Sequence, residues 1–108
     1  HRGHYWVQPS LHYNQSHKKV FIGGDDTKHM EAWDVIANKW MFLPNTQYTH
    51  LKGCTLWSLA DQSGDLLYID KGISSSKKEN FIEFFDLRDS ERRWRLSEHY
   101  MQWNEIKD

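Results

Sequence analysis

The chain has 108 residues, 15% of them aromatic and 27% charged, with one cysteine and a formal net charge of -1. That length admits one domain at most, and 14 Lys and Arg against 15 Asp and Glu leave no basic footprint for a nucleic-acid backbone. Cys54 alone can form neither an intrachain disulfide nor a four-thiolate zinc site, and no run of about 18 apolar residues is present to cross a membrane. A single cysteine suits the reducing cytoplasm, which is the expected compartment.

Folded alone, a chain of this size buries only about 60 to 70% of the surface its unfolded form exposes, so a thin stability margin is expected. The mean hydropathy is -0.87, yet six Trp, five Tyr and five Phe are too many large rings for a segment that never packs. They are spread along the whole chain, which suits several short strands better than one amphipathic helix.

Short apolar runs follow one another in order: Tyr5 to Val7, Leu11 to Tyr13, Val20 to Ile22, Met30 to Val35, Trp40 to Leu43, Cys54 to Leu59, Leu66 to Ile69, Phe81 to Leu87 and Trp94 to Leu96. Each has the length of a strand and falls short of the roughly 10 residues of a buried helix. Turn residues punctuate them: Gly23-Gly24-Asp25-Asp26, Pro44-Asn45, Asp61-Gln62-Ser63-Gly64-Asp65, and the Ser-Ser-Ser-Lys-Lys tract between Gly72 and Asn80. Ser90 followed by Glu91 is a weak helix N-cap pattern within an otherwise all-β chain.

The chain repeats with a period of about 50 residues, the range of stacked supersecondary units. Val20-Phe21-Ile22-Gly23-Gly24 aligns with Leu67-Tyr68-Ile69-Asp70-Lys71, Trp33-Asp34 with Phe85-Asp86, and Trp40 with Trp94, while His4, His50 and His99 recur at a similar spacing. Two four-stranded antiparallel units are expected, over residues 1–44 and 45–96, with 97–108 the start of a third or a tail. The paired aromatics are expected to pack across each sheet and against the next. Asp34 and Asp86 are expected to bond turn amides. Gly23 and Gly24 imply an unusual torsion or a close approach, a constraint expected to relax at Asp70-Lys71.

These residues resemble the kelch repeat, the blade unit of one class of β-propeller: a hydrophobic strand ending in Gly-Gly, an aromatic-Asp pair, then a Trp opening the last strand. Gly23, Gly24, Trp33, Asp34 and Trp40 fit the pattern, as do Phe85, Asp86 and Trp94, whereas Asp70-Lys71-Gly72 departs from the double glycine. A propeller closes with four to eight blades, so two units need further blades, from a parent chain or from other copies. The start at His1 and the partial third unit favour a parent chain. A small β-sandwich or open meander is the alternative fold.

In an antiparallel meander the loops before the first strand and after the second share one end. The resemblance implies that such loops bind a partner protein or peptide, here through Asp25, Asp26, Lys28, His29, Gln47, Tyr48, His50, Lys77 and Lys78. In many relatives such propellers are the substrate-recognition part of ubiquitin-ligase adaptors, and others serve as cytoskeletal scaffolds. No catalytic residue, metal or cofactor is expected, and no nucleic acid or membrane partner. The competing expectation is a propeller enzyme, a metal-dependent oxidase or a sugar-processing one, with a His-containing site to which the early cluster His1, His4, His12 and His17 could contribute. Their spacing matches no helical His-x-x-x-His motif and no Cys-His finger. Cys54, at the start of an apolar run, is expected to be a buried, inert thiol.

Overall fold

A computed structural model describes residues 4–59, 64–74 and 80–97, and all regular structure among them is β-strand. The strands are β1 (Ser10–Asn14), β2 (Lys19–Gly23), β3 (Met30–Asp34), β4 (Lys39–Leu43), β5 (Thr49–His50), β6 (Leu56–Trp57), β7 (Leu66–Ile73), β8 (Phe81–Asp86) and β9 (Trp94–Leu96). β1 to β4 form an antiparallel meander in sequential order, and a second sheet runs β5-β7-β8-β9, with β6 pairing the other part of the same edge of β7. β5 meets Gly72 and Ile73, and β6 meets Tyr68 and Ile69, so β5 and β6 are one strand interrupted by residues 51–55. Among the described residues no helix is long and apolar enough to cross a membrane.

Two of the sequence expectations change here. Tyr5 to Val7 is not a strand: the Val7 and Gln8 amides donate to the Asp25 carboxylate instead of a ladder, and Pro9 has no amide to offer. The run Cys54 to Leu59 is a strand only at Leu56–Trp57, with Thr49–His50 as the other half. The cap pattern at Ser90 opens a turn closed by Arg92, whose φ is 52°, and β9 follows. Residues 98–108, where a third unit was expected to open, lie outside the described residues.

The hairpin turns are built alike. The Asn14 side chain accepts the His17 amide at 2.9 Å, and Asp34 accepts the Ala37 amide at 2.9 Å. Left-handed residues, Lys18 (φ 55°) and Asn38 (φ 56°), then return the chain. Asp86 plays the same part for the Arg88 amide at 2.9 Å, as anticipated for an aspartate that precedes a turn.

Side chains alternate across a strand, so the register assigns faces. Phe21, Met30, Ala32 and Leu43 of the first sheet meet Cys54, Leu56, Leu67, Ile69, Phe85 and Trp94 of the second in one buried cluster. The Trp94 indole also donates to the Pro44 carbonyl at 2.7 Å, tying the second sheet to the end of the first. The repeat partners of Leu67, Ile69, Phe85 and Trp94 are Val20, Ile22, Trp33 and Trp40, and these share the face of the first sheet turned away from the second. Conversely Tyr68 and Phe84, the partners of Phe21 and Ala32, look away from the first sheet. The aromatic pair is kept in both units: Trp33 and Trp40 lie 5.2 Å apart, Phe85 and Trp94 5.3 Å apart.

The Gly-Gly pair ends β2 because two different constraints meet there. Gly24 has φ 71°, and a Cβ on it would collide with Cys54 Sγ; a Cβ on Gly23 would collide with the Met30 thioether. In the second unit the torsion is not relaxed as expected: Lys71, in the place of Gly24, has φ 56°. Asp70 and Lys71 form a bulge between Ile69 and Gly72. There a lysine carries the left-handed torsion, at the cost of backbone strain.

Gly24→Ala is therefore expected to lower stability by roughly 2–4 kcal/mol, from left-handed strain and overpacking together. Lys71→Gly is expected to raise it by roughly 0.5–1 kcal/mol. Urea unfolding midpoints test the pair, and shifts of the same sign would refute this account of the bulge.

Candidate functional site

One end of the two sheets collects the segment before β1, the β2–β3 loop (residues 24–29), the β4–β5 connection (44–48) and the interruption between β5 and β6. Backbone bonds splice these segments: the Asp26 amide donates to the His50 carbonyl at 3.0 Å, the His50 amide to the Thr27 carbonyl at 3.3 Å, and the Thr46 amide to the Lys28 carbonyl at 3.0 Å. The loops of the first sheet and the entry strand of the second thus form one continuous surface on a rigid base.

Two buried carboxylates hold it. Asp25, with its side chain fully buried, accepts the amides of Val7 (2.7 Å) and Gln8 (3.0 Å), pairs with Lys52 Nζ at 3.0 Å, and meets His4 Nε2 at 3.0 Å. Burial pushes this carboxyl up, but the two amides, Lys52 and His4 outweigh it and hold it far below the usual carboxylate range. Glu83, 0% exposed, accepts the amides of Gln47 at 2.8 Å and Tyr48 at 3.1 Å, and lies 2.6 Å from His50 Nε2. The Asp70 carbonyl, 2.6 Å from His50 Nδ1, can only accept, so Nδ1 carries a hydrogen. The contact from Nε2 to the Glu83 carboxylate gives the other ring nitrogen its partner, so the buried imidazole is satisfied on both sides.

Glu31 stands in the first unit where Glu83 stands in the second. It is 0% exposed and takes the Trp6 indole at 3.0 Å and His29 Nε2 at 2.9 Å. Around it His4, Trp6, His29 and Phe42 make a chain of ring contacts between 4.7 and 6.2 Å. Neither glutamate was singled out from the sequence. Its signal is the recurrence of Glu three residues before each turn aspartate, Glu31-Ala32-Trp33-Asp34 and Glu83-Phe84-Phe85-Asp86.

The candidate interaction residues divide by burial. Asp26, Lys28 and Gln47 are exposed, and His29 and Tyr48 are half-buried, Tyr48 stacking on Phe81 at 4.3 Å. Asp25 and His50, expected at loop tips, are instead buried, because each satisfies groups brought in from distant segments. Asp26 is engaged at its base by the Lys52 amide and ammonium, which draw its carboxyl below the ordinary range. Lys77 and Lys78 lie outside the described residues.

Of the histidines expected in a metal-site alternative, His1 lies outside the described residues and the others do not converge. His4 meets Asp25, His12 meets Ser58 at 3.1 Å and His17 meets Asp65 at 2.7 Å. Among the described residues no group of three His, Cys, Asp or Glu is placed to hold a metal ion. Cys54 is buried, and burial pushes its thiol up. No family model matches the chain, and no curated protein matches it.

Glu83→Ala is expected to cost roughly 3–5 kcal/mol, because it strands a buried imidazole and two amides, while Glu83→Gln, which keeps an acceptor, costs less. Urea titration measures the ranking, and faster hydrogen exchange at the Gln47 and Tyr48 amides should accompany it. The pH dependence follows from Asp25, with Asp26, Asp34 and Asp86 also held below the ordinary range. A depressed native carboxyl contributes stability that is complete above the unfolded value of about 3.9 and lost as pH falls toward the native one. The urea midpoint should fall below about pH 4, and Asp25→Asn should both lower it at neutral pH and flatten that acid slope; an unchanged slope would remove Asp25 from the explanation.

Proposed function

We propose that this chain is a non-catalytic protein-interaction module: two consecutive kelch-type blades whose loop end recognises a partner protein or peptide. The observation that carries the functional part is the splice between the β2–β3 loop and β5. It turns loops from two sheets into one surface, fixed from beneath by Asp25 and Glu83 and faced by Asp26, Lys28, Gln47 and Tyr48. A rigid scaffold presenting exposed polar loops pays little ordering entropy on binding, which is how such modules gain affinity.

The blade reading draws its support from the faces. In a two-sheet sandwich each sheet turns a polar face to water, whereas here the outward faces carry Leu11, Tyr13, Trp33 and Trp40 on one side and Trp57, Tyr68 and Phe84 on the other. Consecutive units that use both faces fit a stack of blades. A ubiquitin-ligase adaptor or a cytoskeletal scaffold is a role such a module can serve, in the cytoplasm, where a lone buried thiol stays reduced.

The test uses the immobilised chain and a cell extract. Lys28→Glu should weaken retention of a captured protein about 10-fold or more, roughly 1.4 kcal/mol, with the melting temperature unchanged. Capture that is indifferent to the substitution would show that this end is not the recognition surface.

A further inference from the structure

The segment before β1 is fastened to the loop end in a way that sets it apart. None of residues 4–9 joins a strand. Among the described residues, the hydrogen bonds that tie residues 4–8 to the rest of the chain all end on two acids: Asp25 takes His4 and the amides of Val7 and Gln8, and Glu31 takes the Trp6 indole at 3.0 Å. The side chains alternate as in an extended chain. His4 and Trp6 are half-buried, their ring centroids 6.2 and 5.8 Å from that of His29, while Tyr5 (87% exposed) and Val7 (68% exposed) face water. Residues 46–48, gathered by Glu83, are fixed by more: Thr46 on the Lys28 carbonyl, the Gln47 side chain on the Trp94 carbonyl and Tyr48 stacked on Phe81, with β5 following directly. Lifting residues 4–8 hands two carboxylates to water, which hydrates them readily, and leaves Asp25 paired with Lys52 at 3.0 Å. The bonds that splice the β2–β3 loop to β5 do not involve the segment, so it can open locally with the ladders and the core intact.

We propose that residues 4–8 are a displaceable strap lying in a peptide site whose floor is Asp25 and Glu31, and that a partner segment with the same pattern of donors takes their place. The strap shows what the site reads. Two ring N–H donors stand two residues apart, His4 for Asp25 and Trp6 for Glu31, and two successive amides without ladder partners follow for Asp25. An extended segment of the form His-x-Trp-x-x supplies all four, with the indole also entering the ring contacts of His29. A tethered segment acts at an effective concentration on the order of millimolar, so a partner replaces it only with contacts that the strap lacks. The exposed Lys28, on the same loop as Asp25, offers one. The inference deepens the proposed function and rests on the loop end being a recognition surface. Its test reads a defined peptide on the acids and not capture through Lys28, so the two experiments fail separately.

Fluorescence anisotropy of a labelled peptide, His-Tyr-Trp-Val-Gln-Pro, titrated with the full chain tests it, with circular dichroism confirming that every variant is folded. Trp6→Ala in the chain loosens the strap and leaves both acids in place, so this variant should bind the peptide about 10-fold or more tighter than the unaltered chain does. A peptide with alanine in place of its tryptophan should lose that binding. Should the Trp6→Ala chain not fold, His4→Ala replaces it with the same expectation. In the unaltered chain, the Val7 and Gln8 amides should exchange hydrogen faster than the ladder amides of β2 and β3, as local opening requires. Equal peptide affinity for the two chains, no binding to either, binding indifferent to the peptide's tryptophan, or exchange at Val7 and Gln8 as slow as in the ladders would each overturn the proposal.

Discussion

The structure depends on the burial of Phe85 and Trp94 against Phe21, Ala32 and Leu43, which makes two meanders into one folded body. Packing the two meanders on each other supplies apolar burial that offsets the conformational entropy of their short strands. The Trp94 indole shows how the contact is oriented. Its ring fills the core while its N–H reaches the Pro44 carbonyl, so the junction between sheets is fixed by a bond as well as by packing. The glycine at position 24 belongs to the same junction, since only a residue without a side chain leaves room for Cys54.

Around that apolar contact lies a polar frame with a consistent logic. The loops that leave the sheets at one end expose amides with no ladder to join, and buried acids gather them: Asp25 takes Val7 and Gln8, Glu83 takes Gln47 and Tyr48. Each acid also meets a histidine, His4 or His50. Charge-assisted bonds of this kind make the loop end rigid, and rigidity is what allows the exposed side chains at its surface to present one fixed pattern.

Much of the strand order was legible because hydrophobic periodicity and turn chemistry are local. The runs around Val20, Met30, Trp40, Leu66, Phe81 and Trp94 are strands, and Asp34 and Asp86 bond the turn amides. Local signals failed where a distant group intervened. Tyr5 to Val7 reads as a strand, but an acid from residue 25 claims the amides. Thr49–His50 is too short and polar to signal a strand, yet it pairs with Gly72 and Ile73 beyond the bulge at Asp70 and Lys71.

The sequence by itself determined an all-β chain, with an aromatic pair and a turn aspartate in each sheet, because those features follow from side-chain alternation and local hydrogen bonding. Only the tertiary structure decided which polar residues are surface and which are frame. Asp25 and His50 look like loop tips in the sequence, and Glu31 and Glu83 like ordinary strand residues, yet all four are buried. A carboxylate or imidazole leaves water only when partners replace its hydration, and those partners come from segments far along the chain.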